Sequence, residues 1–357
     1  MSNSNRKLII HIGSHNTGTN SIQRALFKNR PHLAEQGISV YNQLRDGNMR
    51  KGGKVKGWID SNKGTIYPGF SRSLAANDGN IVVSMEGLSW VFDRECIARL
   101  QGELVDVFSD IKIVAYLRRQ DKQVVSHHQQ GSKVSGRKAA RFYGNQPTAL
   151  PQYQPHFQDY LNYSRRIGFW ADAFGDANIY LRIFERDLLK DGDVVSDFFA
   201  ITGMETHSNF TRQNESVGFV ATKLGHLMQQ RNVPPTIRDT LLANLGSGGK
   251  MLPSAQEAID FYANFRDSNK SLNNRFKLSG HKYLFDDDFS GYPSLRNDLW
   301  TEDLANEAIL GMLTAINDIP VLSPEEETTI RECAMKIEAR NPALARELLR
   351  KTLRSQP

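Results

Sequence analysis

Residues 11–23 combine the residue types that bind an anion through the backbone. They leave a short apolar run at residues 8–12 through a turn rich in Gly, Ser and Thr, and then enter a segment with helical character. The N–H groups of such a turn point inward, the helix N-terminus adds partial positive charge, and glycines let an anion approach the backbone. The pattern therefore predicts a site for a phosphate-like group.

The turn differs from the phosphate loop of ATP-hydrolysing enzymes at two decisive positions. That loop reads G-x-x-x-x-G-K-[ST], and Gly13 and Gly18 keep its glycine spacing. Thr19 stands where the lysine belongs, and Asn20 stands where the magnesium-binding hydroxyl belongs. Because phosphoryl transfer depends on both groups, an ATP-dependent kinase or ATPase is disfavoured.

The turn resembles the 5′-phosphosulfate loop of bacterial sulfotransferase-like proteins, which reads H-I-G-x-x-K-T-G-T-T-S-I-Q. The chain matches this pattern at His11, Ile12, Gly13, Thr17, Gly18, Thr19, Ser21, Ile22 and Gln23. It departs at Asn16 and Asn20. In the family, the lysine at the position of Asn16 lies near the bridging oxygen and neutralises charge on the leaving group.

A second segment resembles the 3′-phosphate motif of the same family, which places an arginine at a strand end and a serine eight residues later. Arg118 and Ser126 have that spacing. A guanidinium forks onto phosphate oxygens, and a hydroxyl donates one further hydrogen bond. Both motifs follow predicted strands, and open α/β sheets bind ligands at the carboxyl ends of their strands.

The resemblance implies a sulfotransferase that uses 3′-phosphoadenosine 5′-phosphosulfate (PAPS) and no metal. The acceptor would be a hydroxyl, on a carbohydrate or glycoconjugate. The nucleotide-binding residues that it implies are Ser14, Thr17, Gly18, Thr19, Asn20, Ser21, Arg118 and Ser126. Metal chemistry has no independent support, since no His or Cys spacing suits zinc and the acidic run at residues 286–288 lacks calcium-loop spacing.

Asn16 keeps two interpretations open. The protein could be an active enzyme in which another cation replaces the missing lysine. It could instead be a catalytically weakened relative that binds nucleotide as a sensor or partner protein of the same fold. The candidates for a replacement cation are His15, Lys51, Lys54 and Lys56.

Sulfuryl transfer also needs a base for the acceptor hydroxyl. Glu86 follows the apolar run at residues 81–85, so it should lie at the same sheet edge as the turn, and related sulfotransferases use a glutamate in this region. Together with His15 and Asn16 it completes the candidate catalytic set. Glu86 could otherwise be an acid at a helix N-terminus. His127 and His128 are rival bases, and adjacent helix positions predict that one faces inward and the other outward.

Alternating apolar runs and helical segments predict that these residues lie on a central parallel sheet flanked by helices, a P-loop NTPase-like sulfotransferase fold. The predicted strands are residues 8–12, 38–41, 81–85, 111–117 and 179–183, with helices at 21–29 and 31–36. Residues 42–80 lack any period and are expected to form a long insertion or loop. After residue 183, amphipathic segments predict helices at 194–203, 217–231, 254–269, 299–316 and 324–353, the last with an interruption at Pro342. We expect a nucleotide-binding core at 1–205 and a helical C-terminal subdomain at 206–357 that packs on it.

Composition narrows the function classes. The 357 residues are 39% hydrophobic and 24% charged, which is ordinary for a globular protein. A net charge of +6 is too small to argue for nucleic acid. No apolar run approaches the about 20 residues of a membrane span, so we expect a cytoplasmic protein, with a peripheral membrane association or lipid-linked substrate left open. Two cysteines exclude a disulfide framework.

Two basic clusters flank the predicted nucleotide segments and would suit an acidic glycan or the nucleotide phosphates, although most such runs are solvated faces. The first is Arg45, Arg50, Lys51, Lys54 and Lys56, and the second is Lys133, Arg137, Lys138 and Arg141. Aromatic side chains that could stack on sugars, or else form a helix core, are Tyr143, Tyr153, Phe157 and Trp170.

Overall fold

Strands and helices alternate along the first half of the chain. The computed structural model describes residues 5–43, 57–206, 218–243, 245, 249–317, 323–338, 341–342 and 344–345. The strands are β1 (Lys7–His11), β2 (Ile38–Val40), β3 (Ile59–Asp60), β4 (Thr65–Ile66), β5 (Asn80–Ser84), β6 (Asp110–Leu117) and β7 (Ile179–Ile183). The helices are α1 (Thr19–Lys28), α2 (Arg30–Glu35), α3 (Phe70–Ala75), α4 (Arg94–Val105), α5 (Gln120–Gly131), α6 (Arg137–Tyr143), α7 (Gln158–Leu161), α8 (Tyr163–Phe174), α9 (Val194–Thr202), α10 (Phe219–Gln230), α11 (Pro235–Ala243), α12 (Ala255–Ala263), α13 (Arg266–Phe276), α14 (Glu302–Asn317) and α15 (Pro324–Glu338).

The five predicted strands form one parallel sheet in the order β2-β5-β1-β6-β7. β1 lies at its centre, with Leu8 opposite Ile81 of β5 on one side and Ile111 of β6 on the other. This confirms the predicted central parallel sheet flanked by helices. Because all five strands run the same way, the segments that follow β1, β5 and β6 lie at one edge of the sheet.

Both faces of the sheet are covered by helices, which explains why its strands are almost continuously apolar. Leu8 and Ile10 pack in a cluster that includes Leu100 of α4 and Trp170 of α8. Ile9, which points to the opposite face, packs in a second cluster with helices α1 and α9. The sheet is therefore the middle layer of a three-layer arrangement.

The described part of the insertion differs from the expected loop. β3 and β4 form a small antiparallel pair, and α3 follows them. Trp58, Phe70 and Leu74 from this part are buried in the cluster that contains Leu8. Strands of two residues are too short to leave a period in the sequence, which is why the pattern did not reveal them. Residues 44–56, which hold the first basic cluster, lie outside the described residues.

The C-terminal half is mainly helical, as the amphipathic segments predict, but two boundaries differ. The helix expected at 254–269 is broken at Asn264 and Phe265 into α12 and α13, and α11 was not predicted. Tyr262, Leu272 and Phe285 pack in the same cluster as the sheet residues Leu8 and Ile10. This half therefore contributes directly to the core beneath the sheet.

α14 and α15 lie near the end of the described chain. The helix expected at 324–353 is described as α15 up to Glu338, and residues 346–357 lie outside the described part. Among the described residues, no helix has both the length and the apolar character that crossing a membrane requires.

Candidate functional site

The turn between β1 and α1 exposes a run of backbone amides. Within the described part of the chain, the N–H groups of residues 16–20 form no hydrogen bond. The amides on either side are engaged, because Ser14 donates to the Tyr116 carbonyl at 3.3 Å and Ser21 donates to the Gly18 carbonyl at 2.9 Å. Five successive free amides at the N-terminus of a helix form an arrangement that binds an anion.

Three residues with positive φ shape this turn. Gly13, Asn16 and Gly18 have φ values of 95°, 56° and 82°. A Cβ atom on Gly18 would lie 2.4 Å from Cγ1 of Val194 on α9, so this position excludes any side chain. Asparagine adopts the left-handed region more readily than most residues, so Asn16 suits the backbone at the point where the sequence departs from the family pattern.

The hydroxyl groups of the turn stabilise it from within. Thr17 and Thr19 donate through Oγ1 to the Ser14 carbonyl at 2.7 and 3.0 Å. Ser14 is buried, and its own Oγ accepts a hydrogen bond from Arg166 at 2.8 Å. Of the side chains predicted to bind nucleotide, these three therefore hold the loop, whereas the free amides of residues 16–20 are available to a ligand.

Two residues that the sequence did not single out hold the turn in place. Gln123 of α5 donates to the His15 carbonyl at 2.8 Å. Arg166 of α8 donates to Ser14, as described above, and its other terminal nitrogen lies 3.4 Å from the Ser89 carbonyl. These contacts join residues 108 and 152 positions apart, so no local pattern could have indicated them.

Arg118 directly follows β6 and Ser126 lies in α5, and β6 is hydrogen-bonded to the turn. The Tyr116 amide donates to the Gly13 carbonyl at 2.9 Å, two residues before Arg118, which directly follows the strand. Arg118 and Ser126 are both half-buried, and within the described residues neither side chain forms a hydrogen bond or ion pair. The Arg118 guanidinium lies 6.0 Å from the centre of the Phe184 ring. Burial lowers the pKa of Arg118. Burial and the charge of Arg118 lower the pKa of Lys250, so Lys250 is a second cation near Arg118.

Arg119 differs from its neighbour because its charge is fully paired. Its Nε donates to Asp121 at 2.8 Å, and its Nη1 donates to Asp286 at 2.7 Å. The ring of Phe289 stacks on the guanidinium at 3.9 Å. Arg119 therefore ties the acidic turn at residues 286–288 to the start of α5, which leaves Arg118 as the arginine available to a ligand.

Glu86 begins a short 3-10 helix, Glu86–Trp90, directly after β5. A Cβ atom on Gly13 would lie 3.4 Å from the Glu86 Cα, so the two segments are in backbone contact. The Glu86 carbonyl accepts from Ser89 Oγ at 2.6 Å, and its carboxylate is close enough to contribute to raising the pKa of Tyr160, which burial raises most. Glu86 is half-buried at the same sheet edge as the turn.

The histidines near the site are buried and neutral. His15 Nδ1 lies 3.1 Å from both Ser89 Oγ and Tyr160 OH, and its ring stacks on His127 with 4.8 Å between centroids. Burial, with smaller effects from the charges of Lys138 and Arg166, lowers the pKa of His15 to about 3. The lowered pKa favours the neutral imidazole, which supplies no positive charge to the turn.

The expectation that one of His127 and His128 faces inward and the other outward is wrong. Both side chains are buried, and burial lowers the pKa of His127 well below its usual value. His128 stacks on His226 of α10 at 4.3 Å, and its Nε2 lies 2.9 Å from the Gln146 carbonyl. His127 faces the turn and His128 faces α10, because α5 is enclosed on both sides.

Other candidates take structural positions. Tyr143, Phe157 and Trp170 are buried in the core, which leaves Tyr153 as the half-buried member of the aromatic set. In the second basic cluster, Arg141 donates a hydrogen bond to Asn62 of the insertion. Across the described part of the chain, no group of three or more His, Cys, Asp or Glu side chains is arranged to hold a metal ion.

Comparison with known proteins adds one distant relative and one distant structural neighbour. No protein-family model matches the chain. An uncharacterized protein from Archaeoglobus fulgidus is 27% identical over 192 residues. The match covers 49% of this chain and 50% of that protein, so the chain spans about half the length of the relative. A crystal structure of a sulfotransferase from Alicyclobacillus acidocaldarius is 16% identical with a TM-score of 0.41, covering 78% of this chain and 99% of that one.

Proposed function

We propose that the chain is a sulfotransferase that binds PAPS and transfers its sulfuryl group to an acceptor hydroxyl. The observation that carries the proposal is the pairing of two anion-binding features at one sheet edge. These are the five free amides of residues 16–20, and the side chains of Arg118 and Ser126, which follow the neighbouring strand. The sequence resemblance assigns the first to a 5′-phosphosulfate and the second to a 3′-phosphate.

The residues present fit a ligand with two phosphate-type groups. Free amides at a helix N-terminus suit the first group. The half-buried guanidinium of Arg118 forms no ion pair within the described residues, although the charges of Glu185 and Asp121 act on it from further away, and Lys250 adds a nearby positive charge. A desolvated cation without a directly bonded carboxylate is costly unless an anion completes it, so the second group belongs beside Arg118.

Glu86 is the proposed base. It lies in backbone contact with the turn, so its carboxylate can reach the hydroxyl that attacks a sulfuryl group held there. When bound, PAPS supplies the sulfuryl group and leaves as adenosine 3′,5′-bisphosphate once the bridging S–O bond breaks. Glu86 accepts the acceptor proton, while the amides of residues 16–20 stabilise charge on the departing phosphate. The acceptor is proposed to be a carbohydrate or glycoconjugate, handled in the cytoplasm or at a membrane surface.

A transfer assay tests this function. The protein is incubated with PAPS that carries a radiolabelled sulfuryl group and with a panel of oligosaccharide and glycolipid acceptors. Label should appear on an acceptor, and adenosine 3′,5′-bisphosphate should form in equal amount. A protein that binds neither PAPS nor adenosine 3′,5′-bisphosphate would contradict the proposal.

A second function is favoured by Asn16, which replaces the lysine of the family pattern. In that case the chain is a nucleotide-binding sensor or partner protein of the same fold. Binding of the nucleotide without transfer to any acceptor, including by an Asn16→Lys variant, would separate this function from a slow enzyme.

A further inference from the structure

Arg166 is a buried cation that touches the anion-binding turn from behind. It projects from α8, and 3% of its surface is exposed. Its Nη2 donates to Ser14 Oγ at 2.8 Å, and its Nη1 lies 3.4 Å from the Ser89 carbonyl. The rings of Tyr160 and Tyr163 lie 4.8 and 5.1 Å from the guanidinium carbon.

Within the described part of the chain, the guanidinium of Arg166 forms no ion pair. None of the ion pairs formed among the described residues involves Arg166, and its Nε is buried without a hydrogen-bond partner there. Arg119 provides the contrast, since it is equally buried but is paired with Asp121 and Asp286. A buried charge without a partner is strongly unfavourable, so its retention points to an anion that completes the site.

The charge of Arg166 acts at the turn itself. Burial most, then the charge of Lys138 and then that of Arg166 lower the pKa of His15, the residue directly before the first free amide. Ser14 Oγ accepts a hydrogen bond from the Arg166 guanidinium, and a hydroxyl polarised in this way is a better donor through its own proton. The turn lacks a lysine at position 16, but the buried guanidinium of Arg166 places a positive charge directly behind Ser14.

We infer that Arg166 is a positioning residue that supplies, through Ser14, the positive charge that Asn16 does not provide to the anion bound at the turn. This inference rests on the proposed function for the identity of the anion. It replaces His15 as the source of charge, because His15 is neutral.

Three variants separate this role from a structural one. Arg166→Met keeps the length of the side chain and removes the charge. Arg166→Lys keeps the charge, and Arg119→Met removes an equally buried but paired guanidinium. Each full-length variant is titrated calorimetrically with adenosine 3′,5′-bisphosphate and with inorganic pyrophosphate, and its melting temperature is measured without ligand.

Arg166→Met should bind both probes roughly 10- to 100-fold more weakly, the effect of one lost charged hydrogen bond. Its melting temperature without ligand should be unchanged or higher, since an uncompensated buried charge has been removed. Arg166→Lys should recover most of the affinity. Arg119→Met should melt at a lower temperature, because it leaves two carboxylates without their partner.

Asn16→Lys in the Arg166→Met background adds a further test, because affinity would not recover if Arg166 only packed against its neighbours. It returns a positive charge to the turn from the other side, so it should recover affinity for both probes.

The outcomes distinguish this inference from the proposed function. If pyrophosphate binding depends on Arg166 while the nucleotide does not bind, the function fails and the inference stands. If the nucleotide binds to wild type and to Arg166→Met equally, the inference fails and the function stands. A melting temperature of ligand-free Arg166→Met as low as that of Arg119→Met would also overturn the inference, since it would show that Arg166 stabilises the fold. If wild type binds neither probe, both fail.

Discussion

At the scale of single residues, the site separates side chains that hold the turn from groups that remain available to a ligand. Thr17 and Thr19 donate to the Ser14 carbonyl, and Ser14 Oγ accepts a hydrogen bond from Arg166. The amides of residues 16–20 and the side chains of Arg118 and Ser126 have no such partners within the described residues. Different atoms therefore maintain the shape of the turn and bind the anion.

Glu86→Gln tests the proposed base. The amide keeps the size of the side chain and cannot accept the acceptor proton, so turnover should fall by roughly 10²–10⁴-fold. Affinity for adenosine 3′,5′-bisphosphate should change little, because Glu86 contacts the turn through its backbone. Initial rates of label transfer and calorimetry measure the two effects. Normal turnover in Glu86→Gln together with an inactive His127→Gln variant would assign the base to His127.

At the scale of elements, the sequence predicted the strands well and the supporting contacts poorly. β1, β5 and β6 are buried on both faces, so their residues form apolar runs that a single sequence displays directly. β3 and β4, with two residues each, leave no period. Arg166 and Gln123 reach the turn from α8 and α5, and such distant contacts depend on tertiary packing rather than on local pattern.

The junction between the turn and α1 depends on Gly18. Gly18→Ala places a Cβ 2.4 Å from Val194 at a residue with φ of 82°, so both sterics and conformation oppose it. The free energy of unfolding should fall by about 2–4 kcal/mol, which sums a left-handed residue and an overpacked contact.

Gly37→Ala is the matched control, because its φ is 72° and no atom lies within 4 Å of the added Cβ. It should lose only the conformational part. Val194→Ala combined with Gly18→Ala should recover part of the remaining loss. Equal effects of the two glycine substitutions in urea denaturation would show that α9 does not press on the turn.

At the scale of the whole molecule, the C-terminal half holds the start of α5, the helix that carries Ser126. Gln120 of α5 exchanges two hydrogen bonds with Asn269 of α13, at 2.8 and 2.9 Å. Arg119 binds the turn at residues 286–288. The helix that carries Ser126 is therefore fixed by residues more than 140 positions away, which the sequence could not specify.

Buried histidines make the whole molecule sensitive to acid. Burial lowers the pKa of His11 and His15 to about 3, of His128 to about 4 and of His226 to about 2. These side chains are neutral in the folded state but take up protons near pH 6.5 when unfolded. The unfolded state then binds more protons, so each histidine removes about 1.4 kcal/mol of stability per pH unit below 6.5, until its folded pKa is reached.

Urea denaturation at pH 7.5, 6.0 and 5.0 measures this loss. The free energy of unfolding should change little above pH 7 and fall steadily below pH 6.5. His226→Phe keeps a ring against His128 and removes one titrating group, so its stability should fall less steeply. A free energy that stays constant from pH 7.5 to 5.0 would contradict the burial of these histidines.

The central claim is that the turn and Arg118 together bind a nucleotide with a 3′-phosphate. Calorimetric titration of adenosine 3′,5′-bisphosphate and of adenosine 5′-monophosphate, against wild type and Arg118→Ala, tests it most directly. Wild type should bind the bisphosphate more tightly, and Arg118→Ala should weaken that binding by about 1.5–3 kcal/mol while affecting the monophosphate little. Equal affinity of wild type for the two nucleotides, or an Arg118→Ala variant that binds the bisphosphate as tightly as wild type, would contradict the claim.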